Sequence, residues 1–177
     1  IGGKVGVDLE MGKNLAGSFW PAQEIFICPE FPQTLPLQEW QCGSAEVWKY
    51  GAIMDPELWE SLLRSPLNPQ RKGMEDVVLA CAHHKLRIVE EDPYEKTGLR
   101  SILNFGHTVG HAFEWALGYG VMTHGEAIAI GMVVEARLGE LLGITEKGVR
   151  DAILQGMSVQ GLPVKVPASL NEDLLLK

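Results

Sequence analysis

Residues 100 to 131, RSILNFGHTVGHAFEWALGYGVMTHGEAIAIG, hold three of the five histidines within 18 positions, alongside an arginine, an asparagine and several acids. Arg100, Asn104, His107 and His111 follow one another at spacings of 4, 3 and 4, which on a helix gathers all four on one polar stripe. A solvated stripe is usually rich in Lys and Glu, and this one has neither. Ile102, Leu103, Phe105, Val109, Ala112 and Phe113 would then form the apolar contact face of the same helix. Imidazoles and a carboxylate are a natural ligand set for a divalent metal whose remaining position is left to water or substrate. His107 and His111 share a helix face as in zinc proteases. Those enzymes need a glutamate directly after the first histidine, and Thr108 stands there instead. His124 opens a second helix whose start carries a capping box, Thr123 with Glu126 three residues on. Near the positive end of that dipole its pKa is expected to fall, favouring the neutral form a metal needs. A plain helix-capping role for His124 fits the spacing equally well. Arg100, Asn104 and Lys85 add donors for an anionic, hydroxylated substrate.

Several elements must position these groups. Residues 1 to 19 carry five glycines without a helical period and read as turns and short extended pieces. Gly2-Gly3-Lys4 and Gly12-Lys13-Asn14 there suit close approach to an anion. The apolar run 23 to 28, QEIFIC, between Pro21 and Pro29, predicts a buried strand. From Leu37 the period becomes helical. LQEWQCGSAEVWKYGAIM carries Glu46 at its middle and Lys49 and Tyr50 beside it, with Gly51 and Pro56 punctuating its end. PELWESLLR follows as a shorter helix, then a polar loop at 66 to 72 and a long amphipathic helix in GMEDVVLACAHHKLRIVEED, closed by Pro93. Gly143 is the expected stop of the helix opened by His124. The tail predicts one more helix, a proline-rich turn and the start of another.

The chain of 177 residues is long enough to bury a core, with 46% hydrophobic and 21% charged residues. A net charge of −8 argues against a nucleic-acid backbone as partner. Cys28, Cys42 and Cys81 form no CxxC pair and read as reduced thiols of a cytoplasmic protein; no apolar run is long enough to span a membrane.

At GGKVGVDLEMGKNLAGSF, CGSAEVWKYG, TGLRSILNFGHTVGHAFE and HGEAIAIGM the sequence resembles 3-dehydroquinate synthase, a sugar-phosphate cyclase of the shikimate pathway. The resemblance implies a mainly α chain: the helical metal-binding domain (37–177) of a two-domain α/β plus α enzyme, preceded by a short β/turn remnant (1–36) of the NAD-binding domain. It implies Glu46, His107 and His124 as ligands of one divalent metal, zinc or cobalt. His111 and Lys49 are implied as catalytic groups, and Lys4, Lys85, Arg100, Asn104 and His111 as contacts to the substrate's carboxylate, hydroxyls and phosphate. Lys13 and Asn14 are assigned to the NAD side. The family converts 3-deoxy-D-arabino-heptulosonate 7-phosphate to 3-dehydroquinate and phosphate, and a homodimer is expected for the full-length protein. Because the chain opens at the GGK motif, it is expected to be a C-terminal fragment, inactive alone. Trp48 departs from the aliphatic residue usual in the family. The competing readings are a 2-deoxy-scyllo-inosose or 2-epi-5-epi-valiolone synthase, and a non-catalytic helical module. The iron-dependent alcohol and glycerol dehydrogenases share the two-domain layout but usually use an aspartate where Glu46 stands.

Overall fold

The computed structural model describes residues 1–9, 12–118, 120–168 and 170, apart from the side chains of Asp8, Lys13 and Asn14. The chain forms two compact units, one from residues 1–30 with 73–101 and the other from 31–72 with 102–177. None of the described helices is long and apolar enough to cross a membrane.

In the first unit, the glycine-rich opening forms an antiparallel pair of strands, β1 (Lys4–Leu9) and β2 (Gly12–Phe19), so the expected extended pieces are present and pair with each other, taking in residues expected as turns. The Gly6↔Gly17 pair leaves no side chain at the middle of the ladder. The unit's one described α-helix is α3 (Met74–Glu91). QEIFIC is not a buried strand: it lacks strand geometry, and Ile25, Phe26 and Ile27 are 50%, 89% and 42% exposed. An apolar run becomes a strand only when a neighbour completes its ladder, and the described sheet has two members, β1 and β2.

The second unit is helical: α1 (Leu37–Met54), α2 (Pro56–Arg64), α4 (His107–Leu117), α5 (His124–Leu142) and α6 (Val149–Gln160). Helix α2 starts where Asp55 accepts from the Leu58 N–H and Pro56 occupies the first turn. Helix α5 is the axis of the unit, packed against α1, α4 and α6. Its segment Ala127–Val133 is apolar on every side and correspondingly buried all round. Thr123 and Glu126 make both bonds of the capping box, and Gly143 ends the helix in the left-handed region at φ +72°.

Trp48 lies wholly inside, edge-on to Trp59 with centroids 4.9 Å apart, and its indole N–H donates to Gln160 Oε1 at 3.0 Å. Gln160 also accepts from the Leu67 N–H and donates to its carbonyl, so a buried amide ties α1, α6 and the 66–72 loop together. Gly51 does not end α1. It is buried within it, at a point where the backbone of Trp59 comes close.

The continuous stripe from Arg100 to His111 does not exist as one helix. Leu99–Asn104 is a 3-10 turn, Gly106 follows at φ +81°, and α4 begins at His107. The physical reason is contact with α5: a Cβ on Gly106 would fall 2.8 Å from the Ile128 carbonyl, and a Cβ on Gly131 would strike the Gly106 carbonyl. Such an approach needs a residue without a side chain, in a conformation that glycine adopts most readily. Glu135 of α5 completes the turn by accepting from the Gly106 N–H at 2.8 Å and the Val109 N–H at 3.2 Å, capping α4 from outside its own sequence. The expected final helix lies within 171–177, outside the described residues.

Candidate metal and substrate site

Three helices of the second unit each bring one donor to a common point: Glu46 from the middle of α1, His107 from the first position of α4 and His124 from the first position of α5. One carboxylate oxygen of Glu46 and one nitrogen of each ring lie within 4.8 Å of one another. Glu46 Oε1 is 3.1 Å from His107 Nε2 and 3.3 Å from His124 Nε2. The other carboxylate oxygen pairs with Lys49 Nζ at 2.5 Å, one turn further along α1.

The far nitrogens of the two rings are also held. His107 Nδ1 is 3.2 Å from the Phe105 carbonyl, and His124 Nδ1 is 3.2 Å from Glu114 Oε2. A carbonyl or carboxylate oxygen can only accept, so each ring has an acceptor at both nitrogens; were a cation to take each Nε2, the proton would stand on Nδ1, facing the Phe105 carbonyl or Glu114. These residues fit a divalent cation: two imidazoles whose far nitrogens are held by oxygen acceptors and one carboxylate, in the ligand number of an open catalytic site.

Lys49, 4% exposed, also donates to the Leu103 carbonyl at 2.6 Å. His111 is exposed at the edge of the group, its ring centroid 5.4 Å from that of His107 and 5.6 Å from that of His124. Burial opposes ionisation of Glu46. His107, His124 and the Lys49 ammonium outweigh it and hold the carboxyl far below the usual carboxylate range.

The expectation for the His124 pKa is reversed. The Glu46 hydrogen bond raises it, burial acts the other way, and Glu114 adds a further upward push. The helix dipole loses because its partial charge is about half a unit, whereas a full carboxylate sits on each side of the ring. The cap of α5 is Thr123, not His124.

Asn104 is exposed at the end of the 3-10 turn. The remaining expected substrate contacts belong to the first unit. Lys4 pairs with Glu95, and Lys85 is half-buried on α3. Arg100, 4% exposed, donates through Nη1 to the Gly2 carbonyl at 3.3 Å and the Pro93 carbonyl at 3.1 Å. The side chains of Lys13 and Asn14 lie outside the described residues. Sequence reasoning overlooked Glu114. Its position three residues after His111, and seven after His107, was the available signal, since it puts the acid on the histidine face of α4.

The sequence profile described as 3-dehydroquinate synthase C-terminal matches residues 43–177, and the one described as 3-dehydroquinate synthase N-terminal matches residues 1–42. Among curated relatives, the 3-dehydroquinate synthase of Saccharolobus solfataricus is 43% identical over 169 residues, covering 94% of this chain and 48% of its own. That of Pelobacter propionicus is 43% identical over 178 residues, covering 99% of this chain and 49% of its own. The chain thus spans about half the length of the curated relatives it matches.

Among solved structures, 2-epi-5-epi-valiolone synthase from Streptomyces hygroscopicus subsp. jinggangensis 5008, with NAD+ and Zn2+ bound, superposes with a TM-score of 0.86 at 27% identity over 99% of this chain and 49% of that one. A 2-deoxy-scyllo-inosose synthase complexed with carbaglucose-6-phosphate, NAD+ and Co2+ gives 0.84 at 28% identity over 98% and 48%. With both profiles met in order along its length, the chain belongs to the 3-dehydroquinate synthase family.

Proposed function

We propose that this chain is the metal- and substrate-binding half of a 3-dehydroquinate synthase, which converts 3-deoxy-D-arabino-heptulosonate 7-phosphate to 3-dehydroquinate and phosphate. The observation that carries the reading is the convergence of Glu46, His107 and His124 from three helices. Glu46 Oε1 and the two Nε2 atoms would hold one zinc or cobalt ion. Bound there, the cation supplies Lewis acidity at the substrate's carbinol oxygen, and NAD, held mainly by the other half of a full-length protein with Lys13 and Asn14, supplies the hydride acceptor.

The chain's own residues do the rest by placement. Lys49, fixed by Glu46 and the Leu103 carbonyl, keeps an ammonium beside the donor cluster. His111 at the rim takes the substrate's phosphate side and moves a proton there. Lys4, Lys85, Arg100 and Asn104 bind carboxylate, hydroxyls and phosphate. The division into residues 1–36 as part of a nucleotide domain and 37–177 as the metal domain belongs to the same proposal. So do a homodimer, a cytoplasmic setting, and a chain that binds metal without turning over substrate alone.

Two measurements test the reading. The purified chain should take up one zinc or cobalt per molecule, and Glu46→Gln, His107→Ala and His124→Ala should each abolish that uptake. A non-catalytic helical module predicts no stoichiometric metal. In a full-length protein, heptulosonate phosphate should yield dehydroquinate while glucose 6-phosphate and sedoheptulose 7-phosphate yield nothing. The resemblance in fold to two other sugar-phosphate cyclases makes those two substrates the relevant competitors. Product from either of them in place of dehydroquinate would transfer the chain to that activity.

A further inference from the structure

Glu114 is 4% exposed, an unusual place for a glutamate, because burying a carboxylate is costly unless it is paired. It projects from α4, the helix that carries His107 and His111, but its Oε2 reaches to Nδ1 of His124 on α5 at 3.2 Å. The opposite nitrogen of that ring faces Glu46 at 3.3 Å. Each imidazole nitrogen therefore has its own carboxylate, one buried and one half-exposed.

We infer that Glu114 is a positioning residue for the metal centre, holding His124 with Nδ1 protonated and Nε2 aimed at the point shared with Glu46 and His107. The inference rests on the proposed metal-binding role of those three residues. The physical argument has two parts. His124 is half-exposed and stands at the first position of α5, so its own helix leaves the ring free to rotate about χ1 and χ2. A buried acceptor fixed to a neighbouring helix removes that freedom and, once Nε2 is given to a cation in place of its contact with Glu46, holds the proton on Nδ1.

His107 achieves the same fixation with a backbone carbonyl two residues away. His124 lacks any such local arrangement in the contacts described, and the carboxylate from α4 fills that role. His111, Glu114 and His124 also bring donor atoms within 4.8 Å of one another, so Glu114 could instead be read as a direct ligand of a second cluster. The two clusters share His124, which turns Nδ1 toward Glu114 and Nε2 toward Glu46, so the two readings differ in which nitrogen takes the ion and the tautomer measurement separates them.

The test is a cobalt titration of the chain, followed by visible d–d absorption, for wild type, E114Q and E114A. Failure of the wild type to bind cobalt would sink the metal reading itself, before Glu114 is considered. With wild-type binding established, E114A should weaken affinity by about 10- to 100-fold while one cobalt per chain is retained. E114Q, whose amide oxygen can still accept from Nδ1–H, should fall between the two. Nitrogen-15 NMR of the zinc-loaded wild type should show His124 protonated at Nδ1. A merely structural role would affect melting temperature without moving that tautomer. E114A binding as tightly as wild type, E114Q binding no better than E114A, or a His124 proton at Nε2 would each overturn the inference. If E114A does not fold, the E114Q titration and the wild-type tautomer decide the matter alone.

Discussion

Replacing Glu135 by alanine removes both bonds that cap α4 from α5 and leaves the Gly106 and Val109 N–H groups without their carboxylate. A hydrogen bond to a charged group contributes about 1.5–3 kcal/mol net, and the half-exposed setting of Glu135 puts each bond at the lower end. A carboxylate at a helix N-terminus adds about 0.3–1 kcal/mol. Some of this is recovered when water reaches the freed donors, so E135A is expected to destabilise the helical unit by about 2–3 kcal/mol. For a chain of 177 residues that is a fall in melting temperature of roughly 4–12 °C. E135Q keeps one carbonyl oxygen and should cost about 1 kcal/mol.

His107 is the first residue of α4, so a loosened start should also weaken cobalt binding, although Glu135 touches no donor atom of the cluster. The assay is urea denaturation followed by circular dichroism, with a cobalt titration on the same three proteins. An E135A transition within about 0.5 kcal/mol of wild type, the scatter of ordinary surface substitutions, would refute the capping argument.

Gly125→Ala should destabilise by about 1–3 kcal/mol and weaken cobalt binding, because the added Cβ would collide with the Cys42 backbone; unchanged melting and affinity would count against it. Lys49→Met should leave stoichiometric cobalt uptake intact, since it removes a like charge beside the cation, yet abolish product formation in a full-length protein. Metal analysis and a product assay on one preparation would check both. Asp92 predicts a pH dependence. Burial raises its pKa, but the Lys96, Thr97 and Arg100 N–H groups and the Thr97 hydroxyl outweigh that and hold it below the usual aspartate range. A carboxyl depressed in the folded state stabilises above its unfolded pKa, near about 3.9, and loses that contribution as pH falls through the folded value. The melting difference between wild type and D92N should therefore be full at neutral pH and close in acid; a gap that ignores pH would contradict this.

Much of the helical unit was readable from local chemistry. Pro56, the Thr123/Glu126 box and Gly143 mark helix ends by local backbone chemistry settled within a few residues, and the structure places ends there. The errors fall where a distant element decides. The Arg100–His111 spacing is helical, but the contact of Gly106 with α5 breaks it, and nothing near Gly106 in sequence announces Ile128 or Met132. QEIFIC has strand composition, yet composition does not supply a partner strand. The His124 pKa was reasoned from its own helix, whereas Glu46, 78 residues away, and Glu114 on α4 set it. Periodicity likewise could not join Glu46 to the two histidines; the family resemblance did, and Glu114 went unread although it shares the histidine face of α4.

The placement of the three donors follows from where backbone meets backbone. Glu46 lies one turn after Cys42, whose main chain is pressed against Gly125; His124 immediately precedes Gly125; and His107 immediately follows Gly106, whose carbonyl lies against Gly131. Every donor thus flanks a contact from which side chains are excluded. Side chains yield by rotating, whereas two touching helix backbones can only separate, so such contacts fix Cα positions more tightly than a layer of leucines would. A metal shell tolerates only a few tenths of an ångström of misplacement. The glycines of HGEAIAIG and NFGH are therefore part of the site's geometry as much as the histidines beside them. A methyl group added at Gly125 or Gly131 reaches the donors through the one part of the structure that cannot rotate out of the way.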